Sequence, residues 1–181
     1  MQNTIKNISC YFPKKVISNS SLQDEFPDLK IKELTRLTGV YNRHICHENE
    51  TSVDMAVNAA EKLFSTSTSK KEDINFIIFC SAGGDYITPA SACIIHNKLK
   101  LPSNCGAFDF NQGCTGYIYG LSLADSMISA GNAENILLIT SETITKTIHP
   151  KDSSNRAIFG DAATASIITR NNSNNSFGSF T

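Results

Sequence analysis

No two of the six cysteines have C-x-x-C spacing; they stand at Cys10, Cys46, Cys80, Cys93, Cys105 and Cys114. That absence removes the usual signature of a structural zinc site or a thioredoxin-like redox pair. His44 and His47 lie close in sequence, but no third ligand accompanies them, so no metal is expected and a polar loop is the reading. An excess of one charge is also missing. Lys and Arg number 16 against 17 Asp and Glu, a net charge of −1, which gives no electrostatic case for nucleic acid or an acidic membrane surface. No apolar run approaches the roughly 20 residues that span a bilayer. The opening residues Met1 to Lys6 lack the apolar core of a signal peptide. The Gly83-Gly84 pair belongs to no G-x-G-x-x-G, and no Gly-Lys-Ser/Thr follows it, so phosphate-binding fingerprints are absent. Together these absences predict a cytoplasmic protein with free thiols, no membrane or nucleic-acid partner and no bound cofactor.

What is present suits one packed domain. The 181 residues are 40% hydrophobic and 18% charged, ordinary for a globular fold with its own core. The most informative stretch is Ala107 to Gly131. Ala107-Phe108-Asp109-Phe110 reads as a buried strand, Asn111-Gln112-Gly113 as a turn, and a helical pattern begins at Cys114, with Tyr117, Leu121, Ala124 and Ile128 on one face. A cysteine is thus placed where a strand gives way to a helix start, where unpaired N–H groups and the helix dipole favour negative charge. The thiolate is the nucleophilic form of cysteine. Gly113 and Gly116 allow a sharp turn and close approach of a substrate. A buried thiol with no chemistry fits the same position, because free cysteine is among the most buried residue types.

Around this stretch, strands and helices alternate. Thr4–Phe12 reads as a strand. Short helices follow at 22–26 and 31–38, the second closed by Gly39, and Val40–His47 reads as a polar connection. Thr51-Ser52 caps a helix with Val53, Ala56, Val57, Ala60, Leu63 and Phe64 on its core face. Ile74–Cys80 and Asn135–Ser141 are continuous apolar runs that read as buried strands. The first ends in the loop Ser81–Tyr86, placed where open α/β sheets hold ligands. A helix is predicted over 90–99, a polar surface loop over 143–155 and a last strand over 162–169. The expected fold class is α/β, a mixed, mostly parallel five-stranded sheet with a buried central helix. Residues 171–181 read as a polar linker.

The segments Asn111-Gln112-Gly113-Cys114-Thr115-Gly116-Tyr117 and Phe159-Gly160-Asp161-Ala162-Ala163 resemble β-ketoacyl-acyl-carrier-protein synthase III, a thiolase-like condensing family. Thr38–Ile45 and Pro89–Cys93 are similar to segments of that family in the same order, and the resemblance runs from about Thr4 to Arg170. It implies one half of a layered thiolase-like fold over residues 1–170, with 171–181 leading toward a C-terminal half that this sequence does not contain.

The resemblance also implies an acyltransferase of fatty acid biosynthesis, a homodimer whose partners are acyl carrier protein and an acyl-CoA or acyl-carrier-protein donor. Cys114 is then the acyl-accepting nucleophile and its N–H an oxyanion donor, with Gly113 and Thr115 beside the substrate. Tyr86 and Thr88 lie on a loop that the family's dimer sets against the partner's acyl pocket. Three departures follow. None of His44, His47, His96 and His149 matches the family's catalytic His, which comes with an Asn from the second half, so the 181 residues alone are expected to be inactive in condensation. The family's Trp and Arg that sandwich coenzyme A's adenine, and another Arg nearby, fall on Glu33, Ser153 and Tyr41. Thr88 replaces a Phe, which suggests a roomier acyl pocket. Two other readings stand beside this one. A cysteine hydrolase is disfavoured because Gly113 directly precedes Cys114, unlike G-x-C-x-G, and a non-catalytic half-domain would only pair with another chain.

Overall fold

The two continuous apolar runs become neighbouring central strands of one sheet. The computed structural model describes residues Gln2 to Asn171, so the expected linker at 171–181 lies, but for its first residue, outside the described residues. In chain order the elements are β1 (Gln2–Tyr11), β2 (Lys15–Ser18), α1 (Asn19–Glu25), α2 (Ile31–Thr38), β3 (Asn42–Ile45), α3 (Ser52–Thr66), β4 (Phe76–Ser81), α4 (Ser91–Leu99), β5 (Gly106–Asn111), α5 (Gly116–Ser129), β6 (Asn135–Glu142), α6 (Ser153–Ile158) and β7 (Ala162–Asn171). The main sheet has five strands in the order β1-β7-β6-β4-β5.

β4 pairs in parallel with both β5 and β6, while β7 runs antiparallel to β6 and to β1. β1 therefore points the same way as β4, β5 and β6, and β7 alone opposes them. The sheet is mixed as expected, with its parallel ladders at the end that carries Cys114.

Alternation along the strands divides the core in two. Ile77, Phe79, Leu137 and Ile139 face α3 and α4, whereas Ile78, Ile136, Leu138 and Ile168 face α5. α3 opens with a capping box between Thr51 and Asp54 and buries Val53, Met55, Ala56, Ala59, Ala60 and Leu63. On the other face, small residues bring α5 close to the sheet. A Cβ on Gly120 would lie 2.5 Å from Leu138 Cδ1, and one on Gly116 would overlap Cys80 Sγ. The opposite side of α5 is open: Ile118 and Tyr119 are each 57% exposed and Leu123 39%. The central helix of the expected layered fold is thus covered by the sheet on one side, and its other side is open in this chain.

Two polar stretches hold structure that their composition hides. Residues 42–45, read as a connection, form β3, paired antiparallel with β2. Arg43 is the reason: the residue is 3% exposed and its guanidinium donates to the Ile17 carbonyl at 3.1 Å and to Asn19 Oδ1, so a charged residue fills an inward position. Burial without a carboxylate partner lowers its pKa from the ordinary guanidinium value. Residues 143–155, read as a loop, contain a 3₁₀ turn at Ile144–Lys146 and the start of α6, whose N-cap Asp152 accepts from the Asn155 N–H at 3.1 Å.

Candidate active site

β5 ends at Asn111 and α5 begins at Gly116. Between them a tight turn is closed by the Gly116 N–H donating to the Gly113 carbonyl at 2.8 Å, and Cys114 and Thr115 are its central residues. The helix thus starts after Cys114 instead of at it, because those central residues serve the turn. Thr115 stands at the cap position without a side-chain cap bond; its hydroxyl accepts from Gln112 Nε2 at 2.7 Å. Cys114 is exposed and opens on a cavity of about 330 Å³ that Gly113, Cys80, Tyr117, Glu142 and Phe159 also line.

Of the expected site residues, the structure brings Gly113 and Cys114 together and holds Thr115 beside them through Gln112. Tyr86 and Thr88 lie elsewhere. Tyr86 lines a separate cavity of about 300 Å³ with Phe79, Ser81, Ile87, Asp109 and Asn111. Thr88 is exposed, and Ile87 next to it is 103% exposed, so this loop projects from the chain. Its base is fixed, since Asp85 accepts from the Ser52 hydroxyl at 2.6 Å and the Val53 N–H at 2.9 Å at the start of α3.

Two further wall residues, Glu142 and Cys80, were not among the expected site residues. Glu142 ends β6 and accepts from the Ala82 N–H, where β4 runs out. Burial pushes its carboxyl above the ordinary carboxylate range, and the Asp161 and Asp85 charges push the same way. Cys80 is buried, and its thiol donates to the Gln112 carbonyl at 3.4 Å. Burial first, then the Glu142 charge, push it up to about 11. An acid ending an apolar strand, as in Asn135-Ile136-Leu137-Leu138-Ile139-Thr140-Ser141-Glu142, was the available clue to Glu142.

The Phe159-Gly160-Asp161 segment shapes the far wall. Asp161 is 1% exposed and accepts from the Cys46 N–H at 2.9 Å, the Thr145 N–H at 3.0 Å and the Thr145 hydroxyl at 2.5 Å. Its own N–H donates to the His44 carbonyl at 2.8 Å. A Cβ on Gly160 would meet that carbonyl at 2.8 Å and Arg43 Cβ at 3.1 Å. Close seating on β3 is what sets Phe159 on the cavity.

Among the described residues no group of three His, Cys, Asp or Glu could hold a metal ion. His44 Nδ1 lies 2.6 Å from the Pro13 carbonyl, and His47 Nδ1 accepts from the Asn49 N–H. None of the four histidines lines the Cys114 cavity. No described helix is long and apolar enough to cross a membrane.

Residues 108–181 match the family model described as 3-oxoacyl-[acyl-carrier-protein] synthase III. A Clostridium perfringens protein named β-ketoacyl-[acyl-carrier-protein] synthase III is 38% identical over 159 residues, which are 88% of this chain and 48% of that protein. A 3-oxoacyl-(acyl-carrier-protein) synthase III crystal structure superposes with a TM-score of 0.92 at 36% identity, over 96% of this chain and 51% of that one. The corresponding synthase of Burkholderia xenovorans superposes with a TM-score of 0.90 at 30% identity, over 96% of this chain and 50% of that one. The chain spans about half the length of the curated relatives it matches.

Proposed function

We propose that this chain, a member of the 3-oxoacyl-[acyl-carrier-protein] synthase III family, carries the acyl-accepting part of a condensing enzyme, with Cys114 as the nucleophile. The observation that carries this is an exposed thiol in a strand–turn–helix junction, opening on a cavity with Tyr117 and Phe159 in its wall. In the first half-reaction the Cys114 thiolate attacks the carbonyl carbon of an acyl thioester. The tetrahedral intermediate places its oxyanion toward the backbone N–H of Cys114, and the donor thiolate leaves. The product is an S-acyl cysteine.

The second half-reaction belongs to the whole protein. Malonyl-acyl carrier protein loses carbon dioxide, the resulting carbanion attacks the acyl-cysteine carbonyl, the C–S bond breaks and the Cys114 thiolate is regenerated. No His lines this cavity, so the chain alone is expected to acylate without condensing. We assign the protein to fatty acid biosynthesis in the cytoplasm, as a homodimer in which the projecting Tyr86–Thr88 loop reaches the partner's cavity. Glu33 and Tyr41 are exposed, and Ser153 opens α6; an acidic side chain and a hydroxyl cannot sandwich an adenine as an aromatic–cation pair does. An acyl-carrier-protein donor fits this surface better than coenzyme A held that way.

The test is intact mass after incubation with an acyl thioester. One acyl group on the wild type and none on Cys114→Ala supports the proposal. Release of free acid or amine from ester or amide substrates would instead favour a hydrolase, and a chain that takes up no acyl group would favour a non-catalytic half-domain.

A further inference from the structure

Cys80 shares a cavity with Cys114 and has no part in the acyl transfer above. Its Sγ reaches the Gln112 carbonyl on one side and abuts Gly116 on the other. The thiol therefore lies under the turn that has Cys114 at its middle. Gln112 and Gly116, the two residues the Cys80 sulfur touches, stand two positions before and two positions after Cys114. A Cβ on Gly113 would meet nothing within 4 Å, so no other residue packs against that side of the turn. No other cysteine lines this cavity.

We propose that Cys80 is the resolving thiol for an oxidised Cys114, so that peroxide converts the pair to a reversible Cys80–Cys114 disulfide. The Cys114 thiolate attacks one oxygen of the peroxide, the O–O bond breaks and hydroxide leaves. Cys114 becomes a sulfenic acid while the peroxide is reduced. The Cys80 sulfur then attacks the Cys114 sulfur. The S–S bond forms, the S–O bond breaks, and the Cys80 proton leaves with the hydroxide as water. A small-molecule dithiol reverses the bond by thiol–disulfide exchange. Burial keeps Cys80 protonated at rest, with its pKa at about 11, so acyl thioesters and peroxide meet Cys114 first. The arrangement would shield Cys114 from irreversible sulfinic acid.

The inference stands apart from the acyl-transfer reading, since acyl uptake is measured on reduced protein without peroxide. The test treats the 181-residue chain with stoichiometric hydrogen peroxide and maps its peptides without reduction. A Cys80–Cys114 cross-link that dithiothreitol removes is expected. Dimedone should label Cys114 about tenfold more in Cys80→Ala and Cys80→Ser than in wild type, with sulfinic acid accumulating in both variants. Circular dichroism of each variant checks that it is folded. Equal dimedone labelling in all three proteins with no such cross-link would overturn the proposal, as would a cross-link formed only between chains.

Discussion

The carboxylate of Glu142 accepts the backbone N–H of Ala82, tying the end of β6 to the segment that leaves β4, on the rim of the Cys114 cavity. Two strand ends that carry the site are thus held by one half-buried side chain. Its carboxyl titrates above the ordinary range because burial penalises the charged form.

The folded state therefore holds the Glu142 proton to higher pH than the unfolded state does. Stability falls as pH rises from the unfolded carboxylate value through the raised folded value, and the penalty is fully present above it. Glu142→Gln keeps an acceptor for the Ala82 N–H and removes the charge, so it should flatten the pH dependence of the melting temperature across that window. Glu142→Ala should in addition speed hydrogen exchange at Ala82. A pH profile in Glu142→Gln identical to wild type would contradict the assignment.

Gly120 sets the distance between α5 and the sheet. Gly120→Ala places a methyl against Leu138 and should cost about 1–3 kcal/mol, the usual range for overpacking. Urea unfolding should show a lower midpoint with the slope unchanged. A midpoint equal to wild type would mean that α5 sits farther from β6.

Asp161 satisfies three donors from two segments. Asp161→Ala leaves the Cys46 and Thr145 N–H groups buried without their acceptor and should destabilise by at least about 2 kcal/mol. Because those contacts hold Phe159-Gly160 on the cavity wall, alkylation of Cys114 by iodoacetamide should also change rate. A stable Asp161→Ala with unchanged alkylation would show that this wall does not depend on Asp161.

The uncovered side of α5 presents Ile118, Tyr119 and Leu123 together. An exposed apolar face of this kind drives association. The 181-residue chain should shift to larger species with concentration in sizing, and the double variant Ile118→Lys, Leu123→Glu should reduce that shift. A monodisperse monomer at all concentrations would contradict it.

Much of this was legible in the residues. The runs at 76–81 and 135–142 are apolar on both faces and read directly as buried strands, and α2 ends at Gly39, whose φ of +70° suits glycine. Cys114 stood out because a strand signal and a helix signal meet there. Polar residues whose partners lie far away in sequence hid the rest. Arg43 looks like loop chemistry until Ile17 and Asn19 are seen to receive its donors. Glu142 looks like a strand-end charge until Ala82 is seen to need an acceptor. Asp161 could be quoted as part of a motif, but its role depends on Cys46 and Thr145, which no local pattern connects to it.

The most direct measurement is intact mass of the reduced chain after incubation with acetyl-acyl carrier protein. The prediction is one acetyl group per chain, mapped to the peptide containing Cys114 and absent from Cys114→Ala, a variant whose stability should stay within about 0.5 kcal/mol of wild type because the side chain is exposed. An acetyl group on any other cysteine, or equal labelling of Cys114→Ala, would contradict the assignment of Cys114 as the nucleophile.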